Sequence, residues 1–325
     1  MPRYGVTIPL DDTVPLHAQG ELVARLGDLG YTDVWSTEAD GADAFTPLTL
    51  ASVWAPSLRL GTAIVPAFTR GPATLAQSVA SLADAAPGRV ALGIGSSSDV
   101  IVQRWNGIPF EQPYQRVRDM VRFLREALTG EKVVYDYETF SVKGFRLRHP
   151  PKEQPQLLVA ALREGMLRLA GRESDGAIIN WLSADDVATV APIVRDAAGG
   201  ETREIVARIF VAPSTDTEAV RAAARMMITA YLNVPVYAAF HEWLGRGDIL
   251  TPMWEAWRGG DRKGALAAVP DSVVDDLVLH GSPESCREQI ARYVENGVTT
   301  PVLAILPLGG VDVTQAVGEL APAAS

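Results

Sequence analysis

The sequence predicts a (β/α)8 barrel, and three observations carry the prediction. Eight short β-branched or apolar runs alternate with stretches of helical period, and glycines punctuate the joins between them. The length of 325 residues exceeds the ~250 of a barrel of this kind by enough to hold insertions. A doubly wound open sheet shares the alternation and is the runner-up.

In chain order the strand candidates are Tyr4–Ile8, Asp33–Ser36, Arg59–Val65, Arg89–Ile94, Gln156–Ala160, Gly176–Ile179, Glu204–Val211 and Pro301–Leu306. Four of them follow the end of a helical pattern and a glycine: Gly30, Gly88, Gly176 and Gly297. A glycine just past a helix takes the left-handed conformation that other residues resist, so each reads as a helix-to-strand join. Between strands, Gly71-Pro72 opens a helix with Leu75, Val79 and Leu82 facing inward. Tyr114, Val117, Val121, Leu124 and Leu128 keep the 3, 4, 3, 4 spacing of one buried face. Ser282-Pro283-Glu284 supplies a capping hydroxyl, a first-turn proline and an early acid for a helix carrying Ile290 and Val294.

Two stretches break the alternation. Lys132 to Phe145, rich in Val, Tyr and Phe, reads as a β-hairpin after the fourth helix, within an insertion spanning 132–155. Leu232 to Asp271 loses helical period and becomes rich in Trp, Gly and Pro, so 232–271 reads as a long functional loop between strands seven and eight. The chain is expected to form one barrel domain over 1–325.

Composition narrows the function classes. With 29 basic and 39 acidic residues the net charge is −10 and no Lys/Arg block interrupts it, so nucleic acid and anionic membrane surfaces are excluded as partners. An anionic ligand must then be held by backbone N–H groups and a few local arginines. One cysteine, Cys286, excludes an internal disulfide and a cysteine metal cluster, and reads as a small packed residue. His241-Glu242-Trp243-Leu244 lacks the second histidine of a zinc helix and the other histidines are scattered, so no metal is expected. No apolar run reaches the ~20 residues of a membrane span, and the start carries no signal-peptide pattern, so a cytoplasmic enzyme is expected.

The segments that carry chemistry lie at the ends of strands. Gly95-Ser96-Ser97-Ser98 offers free N–H groups and hydroxyls at the end of strand four. Gly93-x-Gly95-x-x-Ser98 lacks the third glycine of a dinucleotide fingerprint and sits on the wrong strand. Ala160-Ala161-Leu162-Arg163-Glu164-Gly165-Met166 leads from strand five into a helix whose first amides suit a phosphate, with Arg163 and Arg70 as candidate anion ligands. Trp181, at the end of strand six, and Trp243, in the second insertion, are placed to line an apolar substrate pocket.

Taken as an ordered set, Leu60-Gly61-Thr62-Ala63-Ile64-Val65-Pro66, Arg70-Gly71-Pro72, Ala76-Gln77 and Gly88-Arg89-Val90-Ala91-Leu92-Gly93-Ile94-Gly95 resemble the bacterial luciferase-like family of flavin and deazaflavin oxidoreductases. Val34-Trp35-Ser36-Thr37-Glu38, Leu158 to Ala161, Ala170-Gly171-Arg172 and Gly281-Ser282-Pro283-Glu284 fit the same family, over about three quarters of the chain. The resemblance implies a (β/α)8 barrel with coenzyme F420 at the C-terminal ends of the strands and hydride transfer to or from a small organic substrate. It implies a cis peptide at Ala63–Ile64 behind the ring, with Val65 following. It also implies cofactor contacts from Glu38, Gly95, Ser96, Ser97, Ala160, Ala161, Arg163, Gly165 and Met166, and a homodimer formed through helices beside strands two and three. Where relatives carry an acid-base glutamate this chain has Ser98, and where others pair an acid with histidine it has Glu38 followed by Ala39. Glu38 and Ser98 are therefore the candidate catalytic positions. An FMN-dependent monooxygenase and a non-catalytic flavin-binding relative remain the alternatives.

Overall fold

The computed structural model describes residues 3–322. Eight parallel strands close on themselves: β1 (Gly5–Ile8), β2 (Asp33–Ser36), β3 (Arg59–Thr62), β4 (Val90–Gly95), β5 (Gln156–Ala160), β6 (Gly176–Asn180), β7 (Glu204–Ala212) and β8 (Thr300–Ile305). Each pairs with the next in sequence, and β8 returns to β1 with Gly5 opposite Val302. This is the closed (β/α)8 barrel the sequence predicts, and the open sheet is excluded. The strands read clearly because parallel strands buried on both faces are apolar nearly throughout.

The helices, in chain order, are α1 (Gly20–Arg25), α2 (Phe45–Trp54), α3 (Pro72–Ala85), α4 (Pro113–Ala127), α5 (Glu164–Glu173), α6 (Ala184–Ala197), α7 (Thr217–Leu232), α8 (Pro235–His241), α9 (Gly247–Arg258), α10 (Arg262–Ala267), α11 (Asp271–Leu277), α12 (Pro283–Glu295) and α13 (Val313–Glu319). Among the described residues no helix is long and apolar enough to cross a membrane. The α4 stripe buries Val117, Val121, Leu124 and Leu128 as its spacing predicts. Ser282 caps α12 by accepting from the Ser285 amide, and Cys286 on that helix is fully buried, its thiol pushed up to about 11 chiefly by burial. Strands Val133–Asp136 and Ser141–Phe145 form the antiparallel hairpin beyond α4, whose Tyr137, Phe140 and Phe145 surround the Phe123 ring.

Two expectations are corrected. Gly30, Gly88 and Gly297 take positive φ at the joins as read, but Gly176 does not. It is the first residue of β6, and a Cβ there would collide with the backbone of Glu204 on β7, so strand packing and not a turn selects the glycine. The 232–271 segment is helical throughout most of its length and not a loop. Its helices, of 12 residues or fewer, are interrupted at Gly245 and Gly260, both at positive φ, leaving no window long enough for a period to show. Leu250, Met253, Trp254 and Ala265 bury against α7 and the top of β7 in a second core. Strand Val278–His280 then pairs with β7 just beyond the end of β6.

The lumen is filled in layers. At its N-terminal end Arg59 pairs with Asp33 and makes a two-pronged contact with Glu204 at 2.6 and 2.8 Å, while Thr300 donates to Glu204. Above this lies the Trp35 indole, fully buried with Leu158, Val206 and Val302. It fits because Gly5 and Gly61 carry no Cβ; one on Gly5 would sit 2.9 Å from the ring, and one on Gly61 would run into it.

Candidate active site

Above Trp35 the lumen opens at the C-terminal ends of the strands. Thr62 binds β3 to β4 by donating to the Gly93 carbonyl and accepting from the Gly93 amide, at 2.8 and 2.9 Å. The next peptide, Ala63–Ile64, is cis, and Val65–Pro66 pairs with the end of β4. Ala63 and Ile64 are partly exposed and rest on the lumen core. A Cβ on Gly95 would stand 2.9 Å from that of Ala160 and 3.3 Å from the Ile64 side chain. Ile64, Gly95 and Ala160 thus meet as one apolar floor, and the missing Cβ keeps it level.

Around the floor the sequence candidates fall into three groups. Glu38 and Arg70, weighed separately in the sequence, are partners: the carboxylate accepts from Arg70 at 2.8 Å and from the Ala44 amide at 3.1 Å. Asp43 lies 3.5 Å from the same guanidinium, and the Phe45 ring lies beneath it. Arg70 is thereby neutralised within the protein, which corrects its reading as a free anion ligand. Beyond β4, Ser97 holds φ +62°, a conformation costing a non-glycine residue about 1 kcal/mol. Ser96, Ser97 and Ser98 are partly exposed, and Ser98 Oγ accepts from the Ile101 amide at 3.3 Å, capping the turn that follows.

At β5 the geometry suits an anion. Arg163, extended and exposed, precedes α5, and no side chain caps that helix. Nothing stands within 4 Å of where a Gly165 Cβ would be, and no side-chain cap takes up the first amides of the helix. Met166 is partly exposed, whereas Val65 and Ala161 are buried and support the floor and the strand end from behind.

The wall over β6 and β7 is aromatic. Trp181 also takes positive φ and stacks on Phe210 and Tyr231 at 4.2 and 4.7 Å between centroids. It is 1% exposed, so it backs the pocket, and Tyr231 and Tyr237 present the wall itself. Burial raises the Tyr237 phenol to about 12, and Asn180 faces its hydroxyl. Trp243 is 37% exposed and stacks on Phe240 in the inserted helices. Sequence reasoning missed Arg208, which enters the lumen from β7 beside Asn180. Its signal was an arginine in the middle of an apolar strand run, Ile205 to Val211.

The family model described as luciferase-like monooxygenase matches residues 4–300. The chain is 28% identical to 5,10-methylenetetrahydromethanopterin reductase of Methanolobus tindarius over 93% of each protein. It is 26% identical, over 93% of itself and 94% of the relative, to a Mycobacterium tuberculosis protein provisionally named a coenzyme F420-dependent oxidoreductase. Among solved structures, the coenzyme F420-dependent tetrahydromethanopterin reductase of Methanopyrus kandleri superposes with a TM-score of 0.81 at 20% identity, covering 98% of this chain and 97% of that one.

Proposed function

The chain belongs to the luciferase-like monooxygenase family, and from that premise we propose that it is a coenzyme F420-dependent oxidoreductase acting on a small organic substrate at the C-terminal mouth of the barrel. The names of relatives matched along nearly their whole length support the reading. The observation in the structure that carries it is the pairing of a level apolar floor with an uncapped helix start: Ile64, Gly95 and Ala160 on one side, Arg163 and α5 on the other.

These residues fit a deazaflavin. The floor accepts a flat ring, which the absent Cβ of Gly95 lets approach closely, and the Ser96 and Ser97 region accepts polar substituents at its edge. The uncapped amides of α5, with Arg163 beside them, suit a phosphate and an acidic tail on a protein whose overall charge is −10. Bound there, the group supplies the carbon that carries hydride. The protein contributes orientation above Ile64, exclusion of water by the aromatic wall, and a carboxylate at the rim, Glu38, to hold or move a proton.

Titration of the purified protein with F420 and, separately, FMN tests this by fluorescence and absorbance. F420 is expected to bind in the micromolar range or tighter, with FMN much weaker. Tight FMN binding without F420 binding would replace the reading with that of an FMN-dependent monooxygenase.

A further inference from the structure

Two arginines enter the lumen, and they are treated differently. Arg59 at the closed end is surrounded by Asp33, Glu204 and Gln156. Arg208, higher on the same face of β7, stands opposite Val302 on β8 and Asn180 on β6 at the open end. Its guanidinium lies 4.8 Å from the Phe210 centroid, and its shielded Nε has no hydrogen-bond partner. The ionisable groups acting on it are the Tyr231 and Tyr237 phenols and the solvent-exposed Asp12, and among the described residues no carboxylate lies within ion-pair distance of it. Burial pushes the guanidinium below its ordinary value. A shielded cation without a counter-ion is unfavourable, and for Arg246 and Arg118 this chain supplies one, Asp186 and Asp276 for the first and Asp119 for the second.

We propose that Arg208 is a specificity-determining residue whose counter-ion is the substrate: it binds the carboxylate of a small molecule with a flat apolar body. A single fork-shaped cation matches one planar, singly charged group. The remaining polar groups nearby, Asn180, Tyr231 and Tyr237, are neutral and would leave the second charge of a phosphate unbalanced, while the Tyr231 and Tyr237 rings suit an aromatic or unsaturated body. The inference rests on the mouth being the active site proposed above.

Benzoate and its neutral isostere benzamide are the probes, measured by calorimetry on the wild-type protein, Arg208→Met and Arg208→Lys. Wild type is expected to prefer benzoate by about tenfold or more, Arg208→Met to lose the preference, and Arg208→Lys to retain part of it. Without ligand, Arg208→Met is expected to melt higher than wild type. Equal binding of the two probes by wild type, or a benzoate preference that survives in Arg208→Met, would overturn the assignment. F420 titrated into the same proteins separates the two readings. Unchanged F420 affinity in Arg208→Met supports a substrate role. Loss of F420 affinity with an intact benzoate preference would overturn that role and assign the guanidinium to the cofactor. Arg208-dependent benzoate binding in a protein that never takes up F420 would uphold the carboxylate site while the proposed cofactor fails.

Discussion

Glu38 and Arg70 are 32 positions apart; the resemblance made Glu38 a candidate, and Arg70 was one as a local arginine able to hold an anion. Their pairing was not legible, since it depends on how the loops after β2 and β3 fold together. The pair gives Glu38 two duties, holding Arg70 with the Ala44 amide and carrying a proton, and a single substitution separates them. Glu38→Gln keeps an acceptor for Ala44 but loses the charge opposite Arg70, so stability should drop by about 1 kcal/mol in urea denaturation. If the carboxylate moves a proton, turnover should fall at least about tenfold while the F420 dissociation constant changes little. Unchanged turnover would leave Glu38 only its structural duty. Ser98 shows the opposite outcome: the position was legible by matching a motif, and the structure engages its hydroxyl in a local cap.

The inserted helices between β7 and α12 show where pattern reading stops. Their content of Trp, Gly and Pro marked the segment, but short helices that bury one to three residues each leave no stripe to read. His241, at the end of α8, is a consequence of that packing. It is fully buried with neither ring nitrogen hydrogen-bonded by a side chain, and burial, helped by the nearby Arg246 charge, lowers it from 6.5 to about 4. Between those values the unfolded chain binds a proton that the native chain refuses, so stability decreases as pH falls through this window, by up to about 3 kcal/mol at its lower end. His241→Phe should remove that part of the decline. Urea midpoints at pH 7 and pH 5 test it: wild type should weaken between them more than the variant does, and parallel losses would show that His241 does not titrate in this way.

At the scale of the whole molecule, the barrel was legible because its local signals agree: apolar strand runs, helical stripes and punctuating glycines all point to one topology. The order of side chains inside the lumen was not, because the groups involved are far apart in sequence; Arg59 and Glu204 are separated by 145 positions. Burial alone would raise Glu204, yet hydrogen bonds and charge from Arg59 and the Thr300 hydroxyl hold it below the ordinary carboxylate range. Its contribution is therefore complete at neutral pH and is lost as pH falls below about 4. Arg59→Met would leave Asp33 and Glu204, in the closed end of the lumen, with only the half-exposed Arg3 guanidinium, 3.6 Å from Asp33, as a nearby cation. A loss of about 3–5 kcal/mol is expected from urea denaturation at pH 7; a loss below about 1 kcal/mol would show that water reaches the two acids.

Trp35 has a further consequence, one of sequence in time. With its indole stoppering the lumen, the mouth is a blind well, entered and left through one door. Two molecules that share such a well cannot come and go independently. Whichever lies against Ile64 must arrive first and depart last, so the visitor seated above it has to leave before the one beneath can be exchanged.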